Sequence, residues 1–472
     1  MKTGEFLYMM TLCILGAGMA YAVSATKRDA RNVGIFFQIS FWFRMSLVIL
    51  NDNLNFFVQK YASDFSIGLM DQKGGIFALF TGNNTFSFAN LTSMKFFLEA
   101  LMNLPAVRVF QDSTVMLNAT NAFMGAAAGL VVFAYMRRLF NERIGTFALI
   151  IASIYPAALN FSFFALRDII IYFFLLTNFC SFAWVILRKD HQLFNWGVYV
   201  TSLICALFLR MTFAPFIFVL PGWFIFRATW DGVSTVKYLY QRLFLAMVAA
   251  FMLAVVGCIG LLAGYVLVLH QVGITSLVSP DVLLQDYASA RAARGTTGGS
   301  EFSSQTGTGA ASEYLPISLY NRIPWPARAT VQIVGFIELP YPWQLTGVSR
   351  ILALFDSIFV WACMWWSYRT NSIFRRAMRG RGPPLPAVFA RYSPKTLTRL
   401  STALILGFIA SWFGFGLLVS DAGNAFRMRV SVEPFLVIGA SIYGIYSLRF
   451  YEYRLSRAVA QPAAPPQLAA GE

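Results

Sequence analysis

Residues 168–190 read DIIIYFFLLTNFCSFAWVILRKD, and this stretch decides the class of fold. From Ile169 to Leu187 no side chain carries a formal charge, and the run closes on Arg188 and Lys189. A helix rises about 1.5 Å per residue, so roughly 20 apolar residues cross the ~30 Å hydrocarbon layer of a bilayer. The stretch therefore predicts a membrane span with a basic end.

The same reading applies on both sides of it. Apolar runs at 5–24, 34–50, 118–137, 144–163, 194–209, 212–227, 243–269, 349–368, 398–419 and 431–449 have span-like length. Phe194 to Phe226 is too long for one crossing and contains Arg210 and Pro215, so it predicts a helical hairpin turning near Arg210. The expected fold is an all-α polytopic membrane protein with about eleven transmembrane helices and two long outer-face loops.

Composition agrees. Of 472 residues, 58% are hydrophobic and 12% charged, and the mean hydropathy is +0.61. Soluble domains carry about 25% charged residues, which excludes a soluble enzyme, a disordered tail protein and a coiled-coil rod. The five cysteines lie in apolar runs without Cys-x-x-Cys spacing, and only His191 and His270 are present. No metal-ligand set and no His-paired nucleophile follows from these residues. The N-terminal run from Phe6 to Val23 reads as a retained span rather than a cleaved signal.

Lysine and arginine set the orientation. Segments 27–31, 137–143, 188–190, 227–242, 369–399 and 449–472 hold 22 of the 37 basic residues and 6 of the 21 acids. The net charge of +16 equals 22 − 6, so the whole excess falls on one side, read as cytoplasmic. The N-terminus is then outside and the C-terminus inside. Residues 1–457 form a single polytopic membrane domain, and 458–472 a disordered cytoplasmic tail. The two long outer loops are 51–117 and 270–348. The second holds a Gly/Ser-rich part at 288–312 that reads as mobile, then a Pro- and Trp-rich stretch at 323–343 expected to rest at the membrane interface.

Charges near the outer face are costly unless paired, which makes them the functional candidates. Asp52 stands in Asn51-Asp52-Asn53-Leu54-Asn55, with Asp64 behind it. Just above the hydrocarbon, a carboxylate suits general-base work, while Asp and Asn also serve as helix punctuation. Arg44 lies two turns earlier and calls for an acid or a lipid phosphate. In the turn 162–168, Asp168 would open the next helix. Arg167, against the dipole at that end, reads as a phosphate ligand. Arg210 is a lone arginine between apolar helices. Arg427 and Arg429 sit two apart before Glu433-Pro434, as a pair suited to a pyrophosphate or as interfacial arginines that snorkel to headgroups. Asp356 lies inside a span, with Arg350 or Arg44 as the expected partner.

Taken together, these features resemble the C-type membrane glycosyltransferases and the related bacterial polysaccharide polymerases. Asn51 to Phe57 with Tyr61-Ala62 looks like the first-loop acid with its trailing aromatics. Tyr155-Pro156 through Arg167-Asp168 looks like the proline-to-Arg/Lys-Asp/Glu turn. Arg427-Met428-Arg429 through Glu433-Pro434 resembles the late arginine-proline segment. The resemblance implies transfer of sugar or repeat units from a polyprenyl-(pyro)phosphate-linked donor to a glycan acceptor on the outer face of the inner membrane. Asp52 and Asp64 would be catalytic, and Arg167, Arg210, Arg427 and Arg429 would bind the lipid phosphate. Arg44, Asp168, Asp356 and Glu433 would support them. The resemblance names no definite cofactor and is compatible with a divalent cation. No nucleic acid is implicated. The alternative is a lipid-linked glycan flippase or other secondary transporter, which tends to show internal repeats and broken midplane helices. A structural subunit of an export complex is a third reading.

Overall fold

The computed structural model describes residues 3–54, 114–162, 168–188, 190–209, 220, 222–223, 241, 325–338, 348–380, 385–418 and 422–444. Among the described residues every regular element is a helix. In chain order these are α1 Thr3–Val23, α2 Lys27–Leu54, α3 Thr114–Leu139, α4 Glu142–Ile154, α5 Pro156–Phe161, α6 Asp168–Leu187 and α7 Gln192–Leu209. They continue with α8 Trp325–Glu338, α9 Val348–Met378, α10 Ala387–Ala390, α11 Pro394–Leu418, α12 Ala422–Val432 and α13 Pro434–Gly444.

Six of these, α1, α2, α3, α6, α9 and α11, are long and apolar enough to cross a membrane. The expected crossing at 243–269, all of that at 212–227 but residues 220 and 222–223, the hairpin at Arg210, nearly all of the first outer loop, and the tail at 458–472 lie outside the described residues.

Helices α3, α6 and α13 form the centre. Helix α3 packs on α4 and α6, α6 on α7, and α13 on α9 and α4, while α1 and α2 lie together against α3. The sequence of α3 explains its place: Ala119, Ala122, Ala126, Ala127 and Ala128 are buried and leave room for neighbours. Helix α13 is buried from Phe435 to Tyr443. A helix apolar on all sides is stable only inside other helices or lipid. By contrast Phe6, Leu7, Ile14, Leu15, Ile351, Phe355, Ile358, Trp361 and Trp365 of α1 and α9 are exposed, as lipid-facing positions would be.

Two expected spans are broken. The run 144–163 is interrupted at Tyr155–Pro156, so α4 ends at Ile154 and α5 restarts at Pro156. Proline has no N–H and its ring clashes with the carbonyl four residues back, which ends one helix and suits the first position of the next. The run 431–449 instead begins at Ala422 as α12 and breaks at Glu433–Pro434 before α13. Each of these is 11 residues, about 16 Å, and only the pair together reaches the span length.

Within the stretch 323–343, helix α8 packs against α11 and α12 with Phe336 and Ile337 buried. Gly416 makes room for it: a Cβ there would lie 2.7 Å from the Ile333 Cα. The Trp412 indole N–H donates to the Ile333 carbonyl at 2.6 Å across the same contact.

Candidate functional site

The proline break in α4–α5 leaves backbone groups without their helical partners. In an unbroken helix the Ala152 carbonyl would accept from residue 156, and Ser153 from residue 157. Pro156 cannot donate, and the Ala157 N–H turns away to the Asp356 Oδ1 at 2.9 Å. The Tyr172 hydroxyl, from α6, donates to the Ala152 carbonyl at 3.2 Å. Arg44, from α2, donates through Nη2 to the Ser153 carbonyl at 2.7 Å. Three helices thus each send one polar side chain to one break, as a low-dielectric interior demands of orphaned backbone groups.

Arg44 is 1% exposed, and its other Nη donates to the Ser40 carbonyl and hydroxyl. Its Nε has no hydrogen-bond partner. No carboxylate pairs with it among the described residues, so the expected acid partner is replaced by backbone and hydroxyl oxygens.

Asp356 is fully buried and links this break to the second one. Its Oδ2 receives Arg429 Nη1 at 3.3 Å, with the pair's side chains at 1% and 0% exposure. The partner shown is therefore Arg429 rather than Arg44, and the Arg350 side chain lies outside the described residues. Arg429 also donates through Nε to the Phe336 carbonyl at 2.7 Å, and through Nη1 to the Ser357 hydroxyl at 2.9 Å and the Ala353 carbonyl at 3.2 Å. The Phe336 carbonyl lies in the last turn of α8, where a helix carries partial negative charge. Glu433, at the α12–α13 break, is 1% exposed and lies against Asp356, yet neither of its oxygens receives a hydrogen bond.

This changes the reading of Arg429. It was expected at the outer surface beside Arg427, but its guanidinium is buried and binds α8, α9 and Asp356 together. Arg427 has its backbone in α12, and Asp52 has its backbone in the last turn of α2. The side chains of both, together with Asp64, Arg167 and Arg210, lie outside the described residues. Asp168 opens α6 as expected and is fully buried.

Phe161 and Ser162, just before Arg167 in the sequence, pack close to both α12 and α2. The Phe161 ring lies 5.3 Å from that of Phe426, the neighbour of Arg427. A Cβ on Gly125 of α3 would lie 2.9 Å from Arg44 Nε, 3.2 Å from Ser162 Cβ and 3.3 Å from Ile169 Cγ1. One glycine therefore lets α2, the turn before α6 and α6 itself approach each other. Helix α2 carries Asp52 eight residues past Arg44, about 12 Å along its axis.

Sequence reasoning missed Tyr172, Ser153 and Ser357, the first of them fully buried. The Tyr155-Pro156 pair was the available signal, because a proline inside an apolar run leaves carbonyls that some side chain must satisfy. Among the described residues no group of three or more His, Cys, Asp or Glu could hold a metal ion. No protein-family model, curated protein or solved structure matches the chain.

Proposed function

We propose that the chain is an inner-membrane glycosyltransferase or polysaccharide repeat-unit polymerase. It takes sugar or repeat units from a polyprenyl-(pyro)phosphate-linked donor at the outer face. The reading rests on the residue pattern given above. The observation that supports it is that Phe161 packs on Phe426 of α12 while the adjacent Ser162 meets Arg44 of α2 at Gly125. Asp52 and Arg427 lie on α2 and α12, and Arg167 follows Ser162 in the sequence.

In this reading Asp52, aided by Asp64, takes the proton of an acceptor hydroxyl as its oxygen attacks the anomeric carbon. The bond from that carbon to the phosphate oxygen breaks, and the leaving phosphate keeps the electron pair. Arg167, Arg210 and Arg427 stabilise the charge that develops there. Arg429, already engaged by Phe336, Ala353, Asp356 and Ser357, acts by holding α12 in place. The full chain would have about eleven spans, its N-terminus outside and its C-terminus in the cytoplasm. A divalent cation, if used, would be recognised by loss of activity on chelation.

The test is product formation from lipid-linked donor and acceptor in liposomes holding the full chain. Asp52→Asn is expected to abolish it while leaving the protein folded, and unchanged product would sink the assigned base. A second reading, a lipid-linked glycan transporter, draws on the two broken helices that meet at buried charges. Movement of a lipid-linked glycan between leaflets with no new glycosidic bond would favour it.

A further inference from the structure

Where the two broken helices meet, the buried charges do not match one to one. Glu433 and Asp356 lie side by side and share one guanidinium, that of Arg429. The other titratable groups facing Glu433 are Tyr155 at the α4–α5 break, Tyr172 of α6 and Cys363 of α9. The second buried cation among the described residues, Arg44, is held by Ser40 and Ser153 and reaches neither carboxyl with a hydrogen bond. Asp356 is well served, by Arg429 on one oxygen and the Ala157 N–H on the other. Glu433 meets no donor at either oxygen. An ionised carboxylate so placed would be strongly disfavoured. A protonated one becomes a donor, and Asp356 beside it is an acceptor.

We propose that Glu433 and Asp356 form a proton-binding site inside the bundle, loaded at neutral pH with one exchangeable proton held between the two carboxyl groups. The occupant is a proton rather than a metal ion because the guanidinium already neutralises the one full negative charge. Release of the proton leaves two carboxylates to one arginine. Arg429 is then drawn toward Glu433 and loosens its bond to the Phe336 carbonyl, so the site's loading is linked to the seat of α8. The inference does not depend on whether the chain transfers or moves glycans, and its test uses no substrate.

Infrared spectroscopy of the full chain in lipid nanodiscs at neutral pH reads the site directly. A protonated-carboxyl C=O band is expected, shifted downward both in D2O and by carbon-13 labelling of glutamate, and lost in Glu433→Gln. Glutamine has the shape of the protonated acid, so that variant should fold. Should it not, Glu433→Asp keeps a carboxyl and is expected to displace the band and remove its response to labelled glutamate. Absence of the band, insensitivity to the glutamate label or to D2O, or its persistence unchanged in the Glu433 variants would overturn the proposal.

Discussion

At the scale of single residues, Arg429 shows why arginine and lysine are not interchangeable in a dry interior. Its planar fork reaches the Phe336 and Ala353 carbonyls, the Ser357 hydroxyl and the Asp356 carboxylate at once. A lysine ammonium carries three donors at a single point and could not span those directions. Removing the guanidinium leaves two buried carboxyl groups without their cation. Arg429→Met is therefore expected to cost about 3–5 kcal/mol of stability. Asp356→Asn keeps an oxygen for the Ala157 N–H but leaves the arginine charge unmatched, so it too destabilises. Because both substitutions break the same contact, the double variant should lose less than the sum, by about 0.5–3 kcal/mol. Reversible unfolding in mixed micelles of the four proteins measures this. Strict additivity would mean that the 3.3 Å contact contributes nothing as a pair.

At the scale of elements, the buried half-helix α13 depends on close approach to α9. The Ser367 hydroxyl donates to the Leu436 carbonyl at 3.2 Å, and the Thr370 hydroxyl to the Gly439 carbonyl at 2.9 Å. Small residues allow this, as they do generally where helices meet in lipid. A Cβ at Gly439 would lie 2.6 Å from Ser367 Oγ, 2.9 Å from its Cβ and 3.2 Å from its Cα. Gly439→Ala should thus destabilise by roughly 1–3 kcal/mol, the usual cost of overpacking. Adding Ser367→Gly removes the two nearest atoms, so the pair is expected to melt above Gly439→Ala alone in a detergent thermal-shift measurement. Equal melting would show that the glycine is not needed for this contact. The same element shows where sequence reading stops. Helix α6 was legible to within a residue, 169–187 against Asp168–Leu187, because an unbroken apolar run states its own length. The α12–α13 break was not, since Glu433-Pro434 reads as the start of a span rather than its middle. The seat of helix α8 was not legible either, because its packing is created by Gly416 and Trp412 of α11, which no local pattern of 325–338 contains.

At the scale of the whole molecule, local pattern and long-range pairing divide the labour. Spans and their charge bias come from composition along the chain, whereas the Asp356–Arg429 pair joins residues 73 apart and could be read only once the helices were assembled. Charge bias is nonetheless the stronger determinant of orientation, because basic loops resist translocation whatever their partners. At the C-terminal end of α3, Arg391 donates to the Leu139 and Phe140 carbonyls, and the Tyr392 hydroxyl, at 2.5 Å, to Leu139. Basic side chains thus close the carbonyl end of α3, where the helix dipole favours them. That end carries exposed Arg375, Arg376 and Arg379, and belongs on the cytoplasmic side if the charge bias governs. Single cysteines test this in a Cys205→Ala, Cys258→Ala background; Cys13, Cys180 and Cys363 are buried. In sealed right-side-out vesicles a membrane-impermeant maleimide should label Ser303→Cys, whereas Arg379→Cys should react only after permeabilisation. Labelling of Arg379→Cys from outside, with Ser303→Cys protected, would invert the topology and move the proposed transfer site to the cytoplasm. Polyprenyl-linked donors assembled there would then make the chain an early transferase rather than an outer-face polymerase.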